Sequence, residues 1–262
     1  MNTTTSSDGT TIAFDRLGSG PAVVIVGAGP TDRTANAPAA QLLADRFTVV
    51  NYDRRARGQS GDTQPFSIDR EYDDLAAVID AAGGSAMLYG SSGGAALALE
   101  AAARGLPVTK LALWEPPYYL DDEPRRPPAD YHDQLAAAVA AGRPDQAVGL
   151  FFTAAVGMPG QFVDQLRQSP SWPAMQQLAR ALVYDAQVMG DFRVPADRLG
   201  KISLPTLVID GGTTPSISRA AAEVARLVPD AQRRTLPGQP HNVDAAALAP
   251  ALAAFFDQGG NP

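Results

Sequence analysis

Ala86-Met87-Leu88-Tyr89-Gly90-Ser91-Ser92-Gly93-Gly94-Ala95-Ala96-Leu97-Ala98-Leu99 decides the fold of this chain. Its first four residues are short and apolar enough for a buried strand, and from Ala95 to Arg104 nearly every residue is a strong helix former. Gly90, Ser92 and Gly94 fill the pattern G-x-S-x-G at the junction. Such a turn lifts a serine Oγ clear of a sheet, with glycines on each side because a Cβ there would clash. The Gly93 N–H then sits at a helix N-terminus, where it can face a developing oxyanion.

Composition narrows the possibilities. A chain of 262 residues can form one large domain, or one domain carrying an inserted subdomain. With 45% hydrophobic and 19% charged residues it reads as an ordinary globular protein. The net charge of −7 argues against nucleic acid or an anionic membrane as partner. Arg54, Arg55 and Arg57 form the densest basic run, too short for a patch. The absence of cysteine excludes disulfides, thiolate chemistry and Cys-based metal sites. The first residues lack the basic and apolar regions of a signal peptide, and no apolar run has the length of a membrane span. The expected location is cytoplasmic.

Along the chain, short apolar strands alternate with helices. Strands are expected at Thr11–Asp15, Ala22–Val26, Phe47–Tyr52, Ala86–Tyr89, Lys110–Trp114, Thr206–Asp210 and Gln232–Leu236, with the first segments forming a hairpin. Helices are expected at Ala35–Asp45, Asp73–Ala82, Ala95–Arg104, Ser218–Leu227 and Ala245–Phe256. This order predicts an α/β fold with a mainly parallel, doubly wound sheet. Between Pro116 and Pro205 the rhythm breaks into helix-like runs with a Pro-rich border at Glu123–Pro128. The stretch gathers Tyr118, Tyr119, Tyr131, Phe151, Phe152, Phe162, Trp172, Tyr184 and Phe192. It reads as a helical lid, residues 117–204, inserted into a core of residues 1–116 and 205–262. Most of these aromatics serve the lid's own core, and a few line an apolar pocket for a small apolar or aromatic substrate.

A serine hydroxyl needs a base, and the chain offers two histidines. His132, between Asp130 and Asp133, reads as a surface or structural residue of the lid. His241 follows a strand and the turn Leu236-Pro237-Gly238-Gln239-Pro240, and precedes Asp244, a candidate N-cap. A loop at that position can reach over the serine turn.

With these segments in view, the chain resembles the α/β-hydrolase family over nearly its whole length. The loop Val26-Gly27-Ala28-Gly29 resembles that family's H-G-x oxyanion loop, with Val26 where histidine is usual. Tyr52-Asp53-Arg54-Arg55-Ala56-Arg57-Gly58-Gln59-Ser60 resembles its structural D-x-R-G-x-G-x-S loop, with Ala56 replacing a glycine. The resemblance implies Ser92 as nucleophile, His241 as base, and Ala28 and Gly93 as oxyanion N–H donors, with no cofactor or metal. The acid departs from the pattern. In Asp210-Gly211-Gly212-Thr213-Thr214-Pro215 the expected aspartate position is Thr214. Two carboxylates can substitute, Glu115 at the end of one strand and Asp210 at the end of the next. Glu115 is preferred because some family members, the haloalkane dehalogenases among them, carry the acid there.

One decoy is set aside. Val23-Val24-Ile25-Val26-Gly27-Ala28-Gly29, with Asp53 after the next strand, mimics a dinucleotide fingerprint, but its third glycine is Asp32. The expected activity is hydrolysis of a small, rather apolar ester or lactone through an acyl-enzyme. Carbon–carbon bond hydrolysis and a non-hydrolytic role, as a binding protein or a cyclase-like or lyase-like enzyme, stay open as alternatives.

Overall fold

The computed structural model describes residues 1–123 and 126–258. Eight strands form one sheet: β1 Asn2–Thr5, β2 Thr11–Leu17, β3 Ala22–Val26, β4 Thr48–Tyr52, β5 Ala86–Ser91, β6 Val108–Trp114, β7 Thr206–Gly212 and β8 Gln232–Gln239. Their order is β1-β2-β4-β3-β5-β6-β7-β8. The β1–β2 and β2–β4 pairs are antiparallel, and the rest are parallel. Thus the first segments do form a hairpin, and it borders a parallel sheet.

The central strands read as unbroken apolar runs because both faces of the sheet are covered. Val24 and Val26 point into one hydrophobic core, and Val23 and Ile25 into the other. Leu111 and Leu113 alternate with Ala112 and Trp114 in the same way. On the first face lie helices α2 Ile68–Ala82, α3 Gly93–Ala103 and α10 Pro215–Leu227. On the second lie α1 Ala37–Leu43 and α11 Ala245–Phe256, the latter capped by Asp244, whose Oδ1 accepts the Ala246 N–H at 2.9 Å.

Two sequence expectations need correction. Helix α2 begins at Ile68, five residues ahead of the expected Asp73. Its inward stripe carries Glu71 and Asp74, both fully buried, so apolar periodicity could not reveal the first turns. Those carboxylates meet the basic run that follows β4. The Arg54-Arg55-x-Arg57 run is buried, at 1%, 0% and 3% exposure, and never reaches the surface. Arg54 pairs with Glu71 and Arg55 with Asp74, each through two hydrogen bonds. Second, β8 continues through Pro237 to Gln239. Among the described residues it pairs only with β7, and an edge strand tolerates a residue without an N–H.

Between β6 and β7 the chain is helical: α4 Tyr131–Ala140, α5 Pro144–Leu150, a π-helical turn Phe151–Ala155, α6 Gly160–Arg167, α7 Trp172–Gln177, α8 Ala179–Met189 and α9 Ala196–Leu199. Its aromatics mostly pack on one another, Tyr131 against Phe192 and Phe152 against Trp172, whereas Phe162 is exposed. Helix α8 packs on α3 and α2. Of the expected Pro-rich border, Pro124 and Arg125 lie outside the described residues.

The glycines around Ser92 are sterically required. A Cβ on Gly94 would stand 2.1 Å from the Val26 carbonyl oxygen, and one on Gly90 would stand 2.5 Å from the Gly94 oxygen. Gly94→Ala is therefore expected to cost about 1–3 kcal/mol or more through overpacking against backbone. Urea unfolding of the purified variant measures it, and wild-type stability would contradict the contact.

Candidate active site

Ser92 joins β5 to α3 with φ 55° and ψ −129°, a conformation that strains a residue bearing a Cβ. Its N–H donates to the Trp114 carbonyl at 2.9 Å, which ties the turn to the end of β6. Ser91 is the last residue of β5, in register with Trp114. The side chain of Ser92 is half-buried at the head of the helix.

Gly93 opens α3, so its N–H has no acceptor in the preceding turn. A methyl placed on Gly93 would stand 3.3 Å from the Ala28 Cβ, so the β3 loop and the serine turn are in van der Waals range. No backbone acceptor among the described residues takes the Ala28 or Gly93 N–H. The two amides are thus neighbours with open donor capacity.

The two candidate acids are both fully buried, and their surroundings distinguish them. Glu115 follows β6 with φ 44°. Its Oε1 accepts the Gly211 N–H at 2.9 Å, and its Oε2 lies 2.6 Å from His241 Nδ1. Gly211 admits this approach because its Cα is pressed on the β8 backbone: a Cβ there would stand 1.9 Å from the Gln239 oxygen. Asp210 is engaged by other partners. It accepts from Arg233 Nη2 at 2.8 Å, Ser218 Oγ at 2.9 Å and the Gly212 N–H at 3.1 Å. Those bonds link β7 to β8 and α10, and none involves His241.

His241 sits past the end of β8 with a side chain 43% exposed. The Trp114 indole donates to its carbonyl at 2.8 Å, an anchor that the sequence did not suggest. Among the described residues no hydrogen bond joins the imidazole to Ser92 Oγ. The structure therefore brings Glu115 and His241 into direct contact, and Ala28 beside Gly93, while Ser92 and His241 are not hydrogen-bonded. His132 lies on α4, bonded to Asp133 and Gln187, each about 3 Å away. Asp53, the acid of the dinucleotide decoy, is fully buried and taken up by Arg33 and by the Gln59 N–H. Among the described residues no group of three or more His, Asp or Glu side chains could hold a metal ion, and no helix is long and apolar enough to cross a membrane.

Sequence reasoning missed Asp185 on α8. Its Oδ1 accepts from Arg54 Nη1 and Arg57 Nη2, each at 2.7 Å, and its Oδ2 accepts the Gly29 N–H at 2.8 Å. The available signal was an acid on the buried stripe of a helix, between Leu182 and Val188, matched to three closely spaced arginines elsewhere.

Comparison with known proteins adds an independent line. The family model described as the alpha/beta hydrolase family matches residues 22–254. An alpha/beta hydrolase from Sphaerobacter thermophilus DSM 20745 has a similar structure, with 52% sequence identity and a TM-score of 0.92 over 97% of this chain and 100% of that one. The enol-lactonase from Burkholderia xenovorans LB400 shares the fold at 20% identity, TM-score 0.75, over 98% and 100% of the two chains. A thermophilic esterase from Thermogutta terrifontis does so at 23% identity, TM-score 0.74, over 98% of each. No curated protein sequence matches the chain.

Proposed function

The chain belongs to the alpha/beta hydrolase family, and from that premise we propose that it hydrolyses a small, rather apolar ester or lactone through an acyl-enzyme on Ser92. The observation that carries this reading is the Glu115 carboxylate 2.6 Å from His241 Nδ1, behind a G-x-S-x-G turn. An ionised carboxylate only accepts, so it selects the tautomer with hydrogen on Nδ1 and leaves Nε2 free as a base.

The mechanism follows from those positions. The half-exposed imidazole turns its Nε2 to Ser92 Oγ as substrate displaces water, a contact that tightens in the complex. Ser92 Oγ attacks the carbonyl carbon while His241 takes its proton, and the carbonyl oxygen becomes an oxyanion held by the Ala28 and Gly93 N–H groups. Collapse of the adduct breaks the bond to the alkoxy group, which leaves as the alcohol with the proton from His241. Water then gives its proton to His241 and attacks the acyl carbon. Release of the acid returns the proton to Ser92 Oγ.

Glu115 also bears on the rival reading. Thr214 at the acid position after β7 favours a non-hydrolytic protein, and the Glu115 carboxylate 2.6 Å from His241 Nδ1 supports the hydrolytic reading against it. Carbon–carbon bond hydrolysis would use the same groups, and activity on esters against vinylogous diketones separates the two. The deciding experiment is labelling with a fluorophosphonate and peptide mapping. The adduct is expected on Ser92, and an unlabelled protein, or label on Ser91, would overturn the reading.

Residues 117–204 act as the lid in this proposal. The π-helical turn brings the Phe151 ring to the oxyanion loop: a methyl on Gly29 would stand 3.7 Å from Phe151 Cζ. Single-turn π-bulges occur often at functional sites. Phe151→Ala is expected to raise KM for arylacetate esters by about tenfold, the scale of a lost apolar contact, with little change for acetate esters. An equal effect on both ester classes would remove Phe151 from the pocket wall.

A further inference from the structure

The loop that would supply the second oxyanion donor is held by charges from two distant parts of the chain. Arg54 Nη1 donates to the Gly27 carbonyl at 3.2 Å and to Asp185 Oδ1 at 2.7 Å. The other carboxylate oxygen of Asp185 accepts the Gly29 N–H at 2.8 Å. Thr31 Oγ1 donates to the Ala28 carbonyl at 2.8 Å. Both peptide groups that flank the Ala28 Cα are therefore bonded, and only the Ala28 N–H is left open.

This arrangement has a directional consequence. A trans peptide points its C=O and N–H to opposite sides. A guanidinium on Gly27 O thus turns the Ala28 N–H, which belongs to the same peptide unit, away from Arg54. The cation also draws charge from the amide and strengthens its N–H as a donor. We propose that Arg54 and Asp185 are positioning residues for the oxyanion loop, so that the helical insertion, through Asp185, takes part in setting the geometry of acyl transfer.

The two groups that hold the loop are kept charged by their neighbours. Arg54, Arg57, Glu71 and Asp185 are all buried, two cations with two anions. Glu71 locks the remaining edge of Arg54 through two bonds of 2.9 and 2.7 Å. Burial alone would push the Asp185 carboxyl up, but the Arg57 and Arg54 guanidiniums outweigh it and hold it below its usual range. Burial likewise opposes the charge on Arg54, and Glu71 and Asp185 more than restore it.

The inference rests on the acyl-transfer reading, and its test separates the two. The substrates are a p-nitrophenyl ester and its thionoester, whose sulfur is the weaker hydrogen-bond acceptor, so that a well-set oxyanion site favours the oxygen compound. In Asp185→Ala, kcat for the ester is expected to fall about 10–100-fold with KM within about twofold, the scale of a loop displaced by an ångström. The oxygen-over-sulfur preference is expected to shrink by about tenfold, in line with a weakened donor contact. Asp185→Asn keeps the shape of the helix but must turn an NH₂ toward either Gly29 N–H or the guanidiniums, so a smaller loss in the same direction is expected. It decides the matter if the alanine variant does not fold. Leu182→Ala, buried on the same helix, lowers the melting temperature and leaves the oxygen-over-sulfur preference intact. Folded Asp185 variants with wild-type kcat and preference, or with a change in KM alone, would overturn the inference. A wild-type protein that neither hydrolyses the ester nor takes label on Ser92 would instead overturn the acyl-transfer reading.

Discussion

Ser92→Ala is expected to abolish turnover of p-nitrophenyl acetate, with kcat reduced by about 10⁶-fold, the scale seen when the nucleophile of a serine protease is removed. The argument is local. Ser92 alone occupies the strained residue between β5 and α3, while Ser91 ends the strand in register with Trp114. The Ala28 and Gly93 amides remain in the variant, so a faint activity above water, about 10³-fold, can persist without a covalent intermediate. Alanine keeps the Cβ at φ 55°, and the melting temperature is expected to stay near that of the wild type. Active-site titration with a fluorophosphonate checks the prediction directly. Undiminished turnover in the variant would remove Ser92 from the mechanism.

The second large effect concerns the acid. Glu115→Gln preserves volume but replaces an acceptor with an amide, which can present N–H to Nδ1 and force the other imidazole tautomer. A loss of about 10⁴-fold in kcat is expected, by analogy with the corresponding aspartate-to-asparagine change in a serine protease. The 2.6 Å contact and full burial give Glu115 no solvent to replace it. Asp210→Asn makes the contrast. Its carboxylate holds Arg233, Ser218 and the Gly212 N–H, and the Arg233 side chain is 39% exposed, so its loss is expected to lower stability by about 1–3 kcal/mol, the scale of weakened bonds at a buried acceptor, with far less effect on kcat. Parallel kcat measurements and denaturant curves decide it. If Asp210→Asn were the inactive variant and Glu115→Gln the active one, the roles would exchange.

Much of this molecule was legible because its signals are local. The turn at Gly90–Gly94, the apolar strands and the helix capped by Asp244 each depend on residues within a few positions of one another. Other features escaped for a definite reason. A buried ion pair removes the apolar stripe that marks a helix face, as at Glu71 and Asp74, and so hid the start of α2. The partners of the Arg54–Arg57 run could not be read from the sequence, because they come from α2 and α8.

The sequence by itself determined the α/β alternation, the serine turn with its flanking glycines, and the short choice between two histidines and two acids. Hydrogen bonding, periodicity and steric limits on φ and ψ act over neighbouring residues, so these are written in order along the chain. Only the tertiary structure decided that Glu115 faces His241 while Asp210 turns to Arg233, and that Asp185 reaches Gly29 from 156 residues away. A carboxylate at a strand end can face either side of the sheet. Which side it takes depends on the register of β6 with β7 and on the close approach of Gly211 to Gln239, contacts that exist only once the sheet has closed around them.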